Sequence, residues 1–266
     1  MNARRMPRGF AAATFALLLA FTGSAAAAEI RVMISAGFFA VYAELGPAFE
    51  KATGHKLVTT RGPSMGDSPE AIPTRLARGE VADVVIMDGH AAEQLEKAGV
   101  LRAGSLRELA KSQIGMVVRE GAAKPDIGGV EAFRKLLLEA KSIAYSDSGS
   151  GTYISTKMLP KLGIDEQVKG KSRKVRGPPS GEPVAAVVSR GEAEIGFQQV
   201  SELIHTKGVT YVGPIPAELQ PGFSFIGGLA KDTKVAEAAA ALLRHLSDAQ
   251  AAPVIARNGL APIPGR

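Results

Sequence analysis

The chain has 266 residues, 32 basic against 26 acidic, a formal charge of +6, four histidines and no cysteine. Disulfides, thiol catalysis and cysteine-ligated metal sites are thereby excluded, and with no histidine pair at ligand spacing no metal or other cofactor is expected. The basic excess is small and scattered, which argues against a nucleic-acid partner, and residues 169–176, the one basic run, read as a solvated connection.

Arg4, Arg5 and Arg8 precede an apolar run over residues 10–21, and Ala26-Ala27-Ala28 offers a small-residue cleavage site. This layout predicts a secretory signal over residues 1–28, because the run is too short for a membrane span of roughly 20 residues. The mature chain is expected to begin at Glu29, to reside in the periplasm as a monomer, and to carry a formal charge reduced by the three lost arginines. At 45% apolar content it can build one large domain or two modest lobes.

From Glu29 onward, strand-like and helix-like periods alternate, which predicts an α/β architecture with mostly parallel sheets. Strand 30–34 is followed by helix 39–52, stopped at Gly54. Strand 56–60 leads through a Gly/Pro loop into a helix ending near Leu76 and Ala77. Strand 82–87 and helix 91–98, closed by Gly99, complete the first set. Strand 113–119 opens a second lobe containing helix 130–140, strand 142–145, helix 153–162, helix 184–190 and strand 193–198. Segments 209–212 and 223–229 are strands leading back, and 235–247 is the last helix. Lobe one is expected to comprise residues 29–112 and 226–266, and lobe two residues 113–225.

In open α/β sheets, ligands bind outside the carboxyl ends of the strands. Four loops at such ends are rich in small polar residues: Ser35-Ala36-Gly37, Gly62 to Ser68, Ser146 to Gly151, and Phe197-Gln198-Gln199. The second and third are expected to open directly into helices, whose N-termini present unpaired N–H groups and partial positive charge to an anion. The predicted ligand contacts are Ser35, Gly37, Ser64, Met65, Gly66 and Asp67 from the first lobe. From the second they are Ser146, Ser148, Gly149, Ser150, Tyr153, Gln198 and Gln199. Side chains alternate along a strand, so at most one of the two glutamines is expected to face the ligand.

Leu45 to Gly54 (LGPAFEKATG), Arg78 to Ile86 (RGEVADVVI) and Ser189 to Phe197 (SRGEAEIGF) resemble the corresponding stretches of periplasmic molybdate-type binding proteins. The resemblance runs through the whole mature chain. It implies a two-lobed periplasmic binding-protein fold of type II with the ligand cleft between the lobes. It also implies that Ser35 and Ser64 donate from lobe one, and that Ser148 and Gly149 supply lobe-two backbone. The family's tyrosine after the Gly-Glu-Ala segment is replaced here by Gln198 and Gln199. The site loops are closer to those of aconitate isomerases, periplasmic enzymes related to the molybdate binders, through residues 63–73, 142–153 and 196–203.

That second resemblance implies an allylic proton shift, which needs donors for several carboxylates and one acid/base group. Asp67, Asp147, Tyr153, Glu202 and His90 are the candidates, with capping, turn or packing roles as their alternatives. Arg61 and Arg176 could fork onto a carboxylate or stay in solvent. Three functions follow: an isomerase needing no cofactor, a molybdate- or tungstate-type anion carrier for an ABC permease, and a sensor presenting its closed form to a membrane partner.

Overall fold

The structure, a computed structural model, describes residues 27–66 and 68–264. The expected signal segment, apart from its last two residues, and Asp67 lie outside the described residues.

The chain opens with β1 (Glu29–Ile34), α1 (Ala36–Thr53), β2 (Lys56–Arg61), α2 (Ile72–Ala77), β3 (Val84–Asp88), α3 (Gly89–Lys97) and β4 (Arg107–Lys111). It then crosses to β5 (Ile114–Arg119), α4 (Val130–Glu139), β6 (Ile143–Ser146) and α5 (Gly149–Tyr153). A π-helical turn over Ile154–Met158 joins α5 to α6 (Leu159–Lys161). There follow α7 (Asp165–Lys169), β7 (Ser172–Val175), α8 (Val184–Ser189), β8 (Ile195–Gln199), α9 (Val200–Leu203) and β9 (Val209–Pro214). The return consists of β10 (Ser224–Leu229), α10 (Ala236–His245), α11 (Ala252–Arg257) and β11 (Ala261–Pro262).

Two sheets result, in the orders β11-β4-β10-β3-β1-β2 and β7-β6-β8-β5-β9. They are mixed rather than mostly parallel. The parallel ladders are β1 with β2 and β3, and β6 with β7 and β8, where helical crossovers bring the chain back to the starting end of the sheet before each next strand. The crossing strands β5 and β10 enter from the cleft side and so run antiparallel to their neighbours. Segment 209–212 does not itself lead back: as β9 it stays in the second sheet beside β5, and β10 makes the return. The basic run at 169–176 is not a mere connection either, since it contains β7, an edge strand whose polar residues face water.

Burial follows strand alternation. Ile30, Val32 and Ile34 of β1 face Phe38, Val41 and Phe49 of α1 and Leu242 and Leu243 of α10. Met33, Val85 and Met87 point to the other face, against Ile72, Ala91 and Leu101. In the second sheet Ile114, Met116, Ile195 and Phe197 pack on Phe133 and Leu137 of α4 and on the helix after β6. Val117, Ala144, Val184 and Val188 fill the opposite face. Gly54 ends α1 at φ 76°, a left-handed conformation costly for other residues, and its N–H caps Glu50 O at 2.8 Å. Among the described residues no helix is long and apolar enough to cross a membrane.

The parallel strands β1 to β3 and β6 to β8 all end at the same place. Their carboxyl ends face one another across a cleft between the sheets, and that convergence builds the site.

Candidate functional site

The cleft holds about 370 Å³ of space free of protein atoms, including the part open to solvent. On the first sheet's side it is lined by Ser35, Ala36, Gly37, Pro63 and Ser64, with Phe225 of β10 at the back. Ser35 is buried at the start of α1, and its hydroxyl has no hydrogen-bond partner within the protein. Such an orphan costs free energy unless a ligand accepts from it. Gly37 permits the close approach of the first turn of α1: a Cβ there would lie 2.2 Å from the ring of Phe225 and 3.0 Å from Gln199 Oε1.

Ser64 Oγ accepts from the N–H of Asp88 at 3.0 Å, which leaves its own proton free to donate into the cleft. The loop carrying it does not open directly into a helix. It turns back through Ser68 to Ala71, and α2 starts at Ile72, with Pro73 in the first turn where a missing N–H does no harm. Ser64 therefore contributes a hydroxyl and not a helix N-terminus.

The second lobe's wall comprises Ser146, Asp147, Ser148, Gly177, Pro178, Gln198, Gln199 and Glu202. Ser148 is the extended residue before α5, whose first-turn N–H groups have no carbonyl within the helix to bond. Ser146 Oγ braces that turn, lying 3.0 Å from Ser150 Oγ and accepting from Gly151 N at 3.2 Å. Asp147 Oδ1 accepts from Gly177 N at 3.1 Å, tying the loop after β6 to the loop after β7.

Both glutamines line the cavity, contrary to the alternation argument. Gln199 is the last residue of β8 and the residue before α9, so the backbone has begun to turn. Gln199 Oε1 accepts from Ser112 Oγ at 2.8 Å. Gln198 Oε1 accepts from Val184 N at 3.0 Å, while its Nε2 donates to Glu202 Oε1 at 2.7 Å.

Glu202 is the acid/base candidate the geometry singles out. Burial drives its pKa from 4.5 up to about 7, against the Gln198 hydrogen bond and the positive charge of Arg61, with Asp147 adding to the rise. Arg61 is half-buried and, among the described residues, is not forked onto a carboxylate. Its guanidinium stacks 4.0 Å above the Phe39 ring with Nε buried and unpartnered, and burial lowers its pKa. Arg176 pairs instead with Glu70 at 2.9 Å, across the cleft.

Of the predicted contacts, Ser35, Gly37, Ser64, Ser146, Ser148, Gln198 and Gln199 meet in this cavity. Ser150 stands behind Ser146. Met65, Gly149 and Tyr153 border an adjoining groove with Asp88 and His90, and the Tyr153 hydroxyl donates to Leu219 O at 2.9 Å. Gly66 is exposed, with φ 103°. His90 is exposed beside Gln94. Sequence reasoning passed over Gly177 and Pro178, hidden behind the unrecognised β7, and left Glu202 at the margin. The signal for Glu202 was its spacing of four from Gln198 where a strand passes directly into a helix.

Residues 30–261 match the family model described as bacterial extracellular solute-binding protein. The chain belongs to this family. It is 44% identical over 254 residues to an aconitate isomerase of Pseudomonas sp, covering 94% of this chain and 95% of that one. It is 28% identical over 240 residues to the molybdate-binding protein ModA of Azotobacter vinelandii, covering 89% and 91%. The solved periplasmic molybdate-binding protein of Azotobacter vinelandii superposes with a TM-score of 0.69 at 21% identity, covering 88% of this chain and 99% of that one. The sulfate-binding protein SubI of Mycobacterium tuberculosis H37Rv does so at 0.67 and 19% identity, covering 90% and 88%. These two structures share the two-lobed α/β fold.

The raised Glu202 pKa has a consequence for stability. The folded protein keeps this proton up to about pH 7, whereas the unfolded chain releases it near 4.5. The native state therefore binds more protons between those values, and stability falls as pH rises through the window. Glu202→Gln removes the effect. The variant is expected to match wild type near pH 4.5 and to exceed it at pH 8 by about 3 kcal/mol in urea titrations without ligand.

Proposed function

We propose that this protein is a periplasmic isomerase, working without a cofactor, that interconverts trans- and cis-aconitate by an allylic proton shift. The observation that carries the reading is Glu202, a carboxyl poised to gain or lose a proton near neutral pH in a wall facing the hydroxyls of Ser35 and Ser64. A carrier of fully ionised anions has no use for such a group. The 44% identical relative, named an aconitate isomerase, supports the same reading, and the predicted signal over residues 1–28 supports export.

The chemistry needs one shuttle and one electron sink. Glu202 takes a proton from the methylene carbon, and the C–H electron pair spreads over the allylic system onto a carboxyl group. Ser35, Ser64 and the first turn of α5 stabilise that developing charge. Glu202 then returns the proton to the former vinyl carbon, and the double bond has moved by one position. Residues 35 and 64 face residue 148 across the cleft, so closure would exclude water from the intermediate.

A second reading has support in the scaffold. The relative named molybdate-binding protein ModA matches 89% of the chain, and hydroxyls with helix N–H groups also suit a tetrahedral oxyanion carried to an ABC permease. Thermal shift with molybdate, sulfate, citrate and both aconitates, followed by proton NMR on trans-aconitate, separates the two. Conversion without added cofactor is expected. Stabilisation by molybdate with an unchanged aconitate spectrum would support the carrier instead.

A further inference from the structure

The cavity receives an anion, yet among the described residues its lining includes two carboxyl side chains, Asp147 and Glu202, and no lysine, arginine or histidine. The elements packed around Glu202 do not repair this. From β2, Arg61 offers its charge at a distance while its guanidinium lies on Phe39. The loop after β6 offers Asp147, a like charge. Gln198 of β8 offers a neutral donor. Helix α8 has no ionisable residue, the first turn of α1 has none, and the only one on β5 is Arg119, at the far end from the residue paired with Gln199. A ligand carboxylate brought against a Glu202 carboxylate meets roughly a thousandfold penalty at an effective dielectric of about 20 and a separation of about 4 Å.

Resting on the reading of this cavity as a polycarboxylate site, we propose that it takes up its substrate together with one proton, shared between Glu202 and the substrate carboxyl beside it. The site thereby discriminates against oxyanions that carry no proton. The shared proton removes the clash between like charges and leaves a short O–H···O bond in its place. It also serves the chemistry. With the proton on the substrate carboxyl, Glu202 is a carboxylate ready to take the methylene proton. The C–H pair is then accepted by a neutral carboxylic acid instead of a carboxylate, so no second negative charge accumulates on one group. When Glu202 has returned its proton to carbon, the extra proton leaves with the product. Molybdate and sulfate, ionised throughout the neutral range, have none to share.

The test is isothermal titration of the mature chain with tricarballylate, which has the carbon skeleton of aconitate but no double bond to move. Titrations at pH 7 and 8 in buffers of different ionisation heat count protons directly. Wild type, with Glu202 already about half protonated when free at pH 7, is expected to take up about half a proton per ligand at pH 7 and close to one at pH 8, and to lose about fivefold in affinity over that pH unit. Glu202→Gln is expected to take up less than half as much, to be nearly indifferent to pH, and to gain at least tenfold for sulfate relative to tricarballylate. Binding by wild type without proton uptake overturns the proposal, as does equal uptake by a folded Glu202→Gln protein or no binding at pH 7. If that variant does not fold, the buffer dependence of wild type decides alone. Turnover of aconitate is assayed separately: proton uptake without turnover would remove the isomerase reading and leave this one, and turnover without uptake would do the reverse.

Discussion

Glu202→Gln is expected to slow aconitate turnover by about 10²- to 10⁴-fold, the usual contribution of a positioned acid/base group, while ligand affinity at neutral pH stays the same or improves. The substitution leaves the site's shape intact. Gln198 still donates to the Oε1 position at residue 202, because its own Oε1 is held by the Val184 N–H. What disappears is a group able to take a proton from carbon and give it back. Asp147 is a poor substitute, since its Oδ1 is engaged by Gly177 N in bracing two loops. Asp147→Asn is expected to cost less than about tenfold, a positioning effect. The measurement is kcat by NMR at saturating substrate for both variants. A Glu202→Gln enzyme within tenfold of wild type would remove Glu202 from the chemistry, and a larger loss for Asp147→Asn would exchange the two roles.

The fold was readable because its elements are locally consistent: apolar strands such as Val84–Asp88 are fully buried, and helices such as α1 end on glycine. Three strands were not readable: β4, β7 and the two-residue β11. The segments of β4 (RELAK) and β7 (SRKV) are polar. β7 lies at a sheet edge, where a strand needs only one partner and can face water along its length. The mixed strand direction was hidden too, because a local period says nothing about which sheet a strand joins. At the site, the loops at strand ends pointed to hydroxyls and amides only through their repetition at successive strand ends, since a single Ser or Gly there serves equally well as a cap or a turn. Glu202 was ambiguous because a carboxylate in the first turn of a helix stabilises the helix dipole anywhere. Only the tertiary fold brings that residue into the cleft with Ser35 and partly buries it. Tyr153 erred in the other direction: its place in the first turns after Ser148 suggested the cleft, while the closing contact with Leu219 draws its hydroxyl into the adjoining wall.

Phe197→Ala is expected to destabilise the protein by about 3–5 kcal/mol, the range for emptying a large aromatic from a packed core, out of a typical total of about 5–15 kcal/mol. Phe197 is fully buried in β8, beside Met116 of β5 and Tyr145 of β6 in the sheet. Its ring meets Phe133 edge to face, with centroids 5.6 Å apart. The site should register the same loss, because Gln198 and Gln199 follow directly in the chain and Glu202 hangs from Gln198. A cavity beneath β8 loosens the strand that fixes all three. Phe197→Leu fills most of the volume and is expected to cost less than half as much. Urea midpoints with and without saturating ligand measure both variants. Ligand present at about 100 times Kd adds about 2.7 kcal/mol by mass action to any protein that binds it. A smaller gain for Phe197→Ala than for wild type at the same ligand concentration would show that the site is weakened along with the core. An equal gain would mean that β8 keeps its glutamines in place without the ring beneath them, and that the donors of this cleft are held by the loops alone.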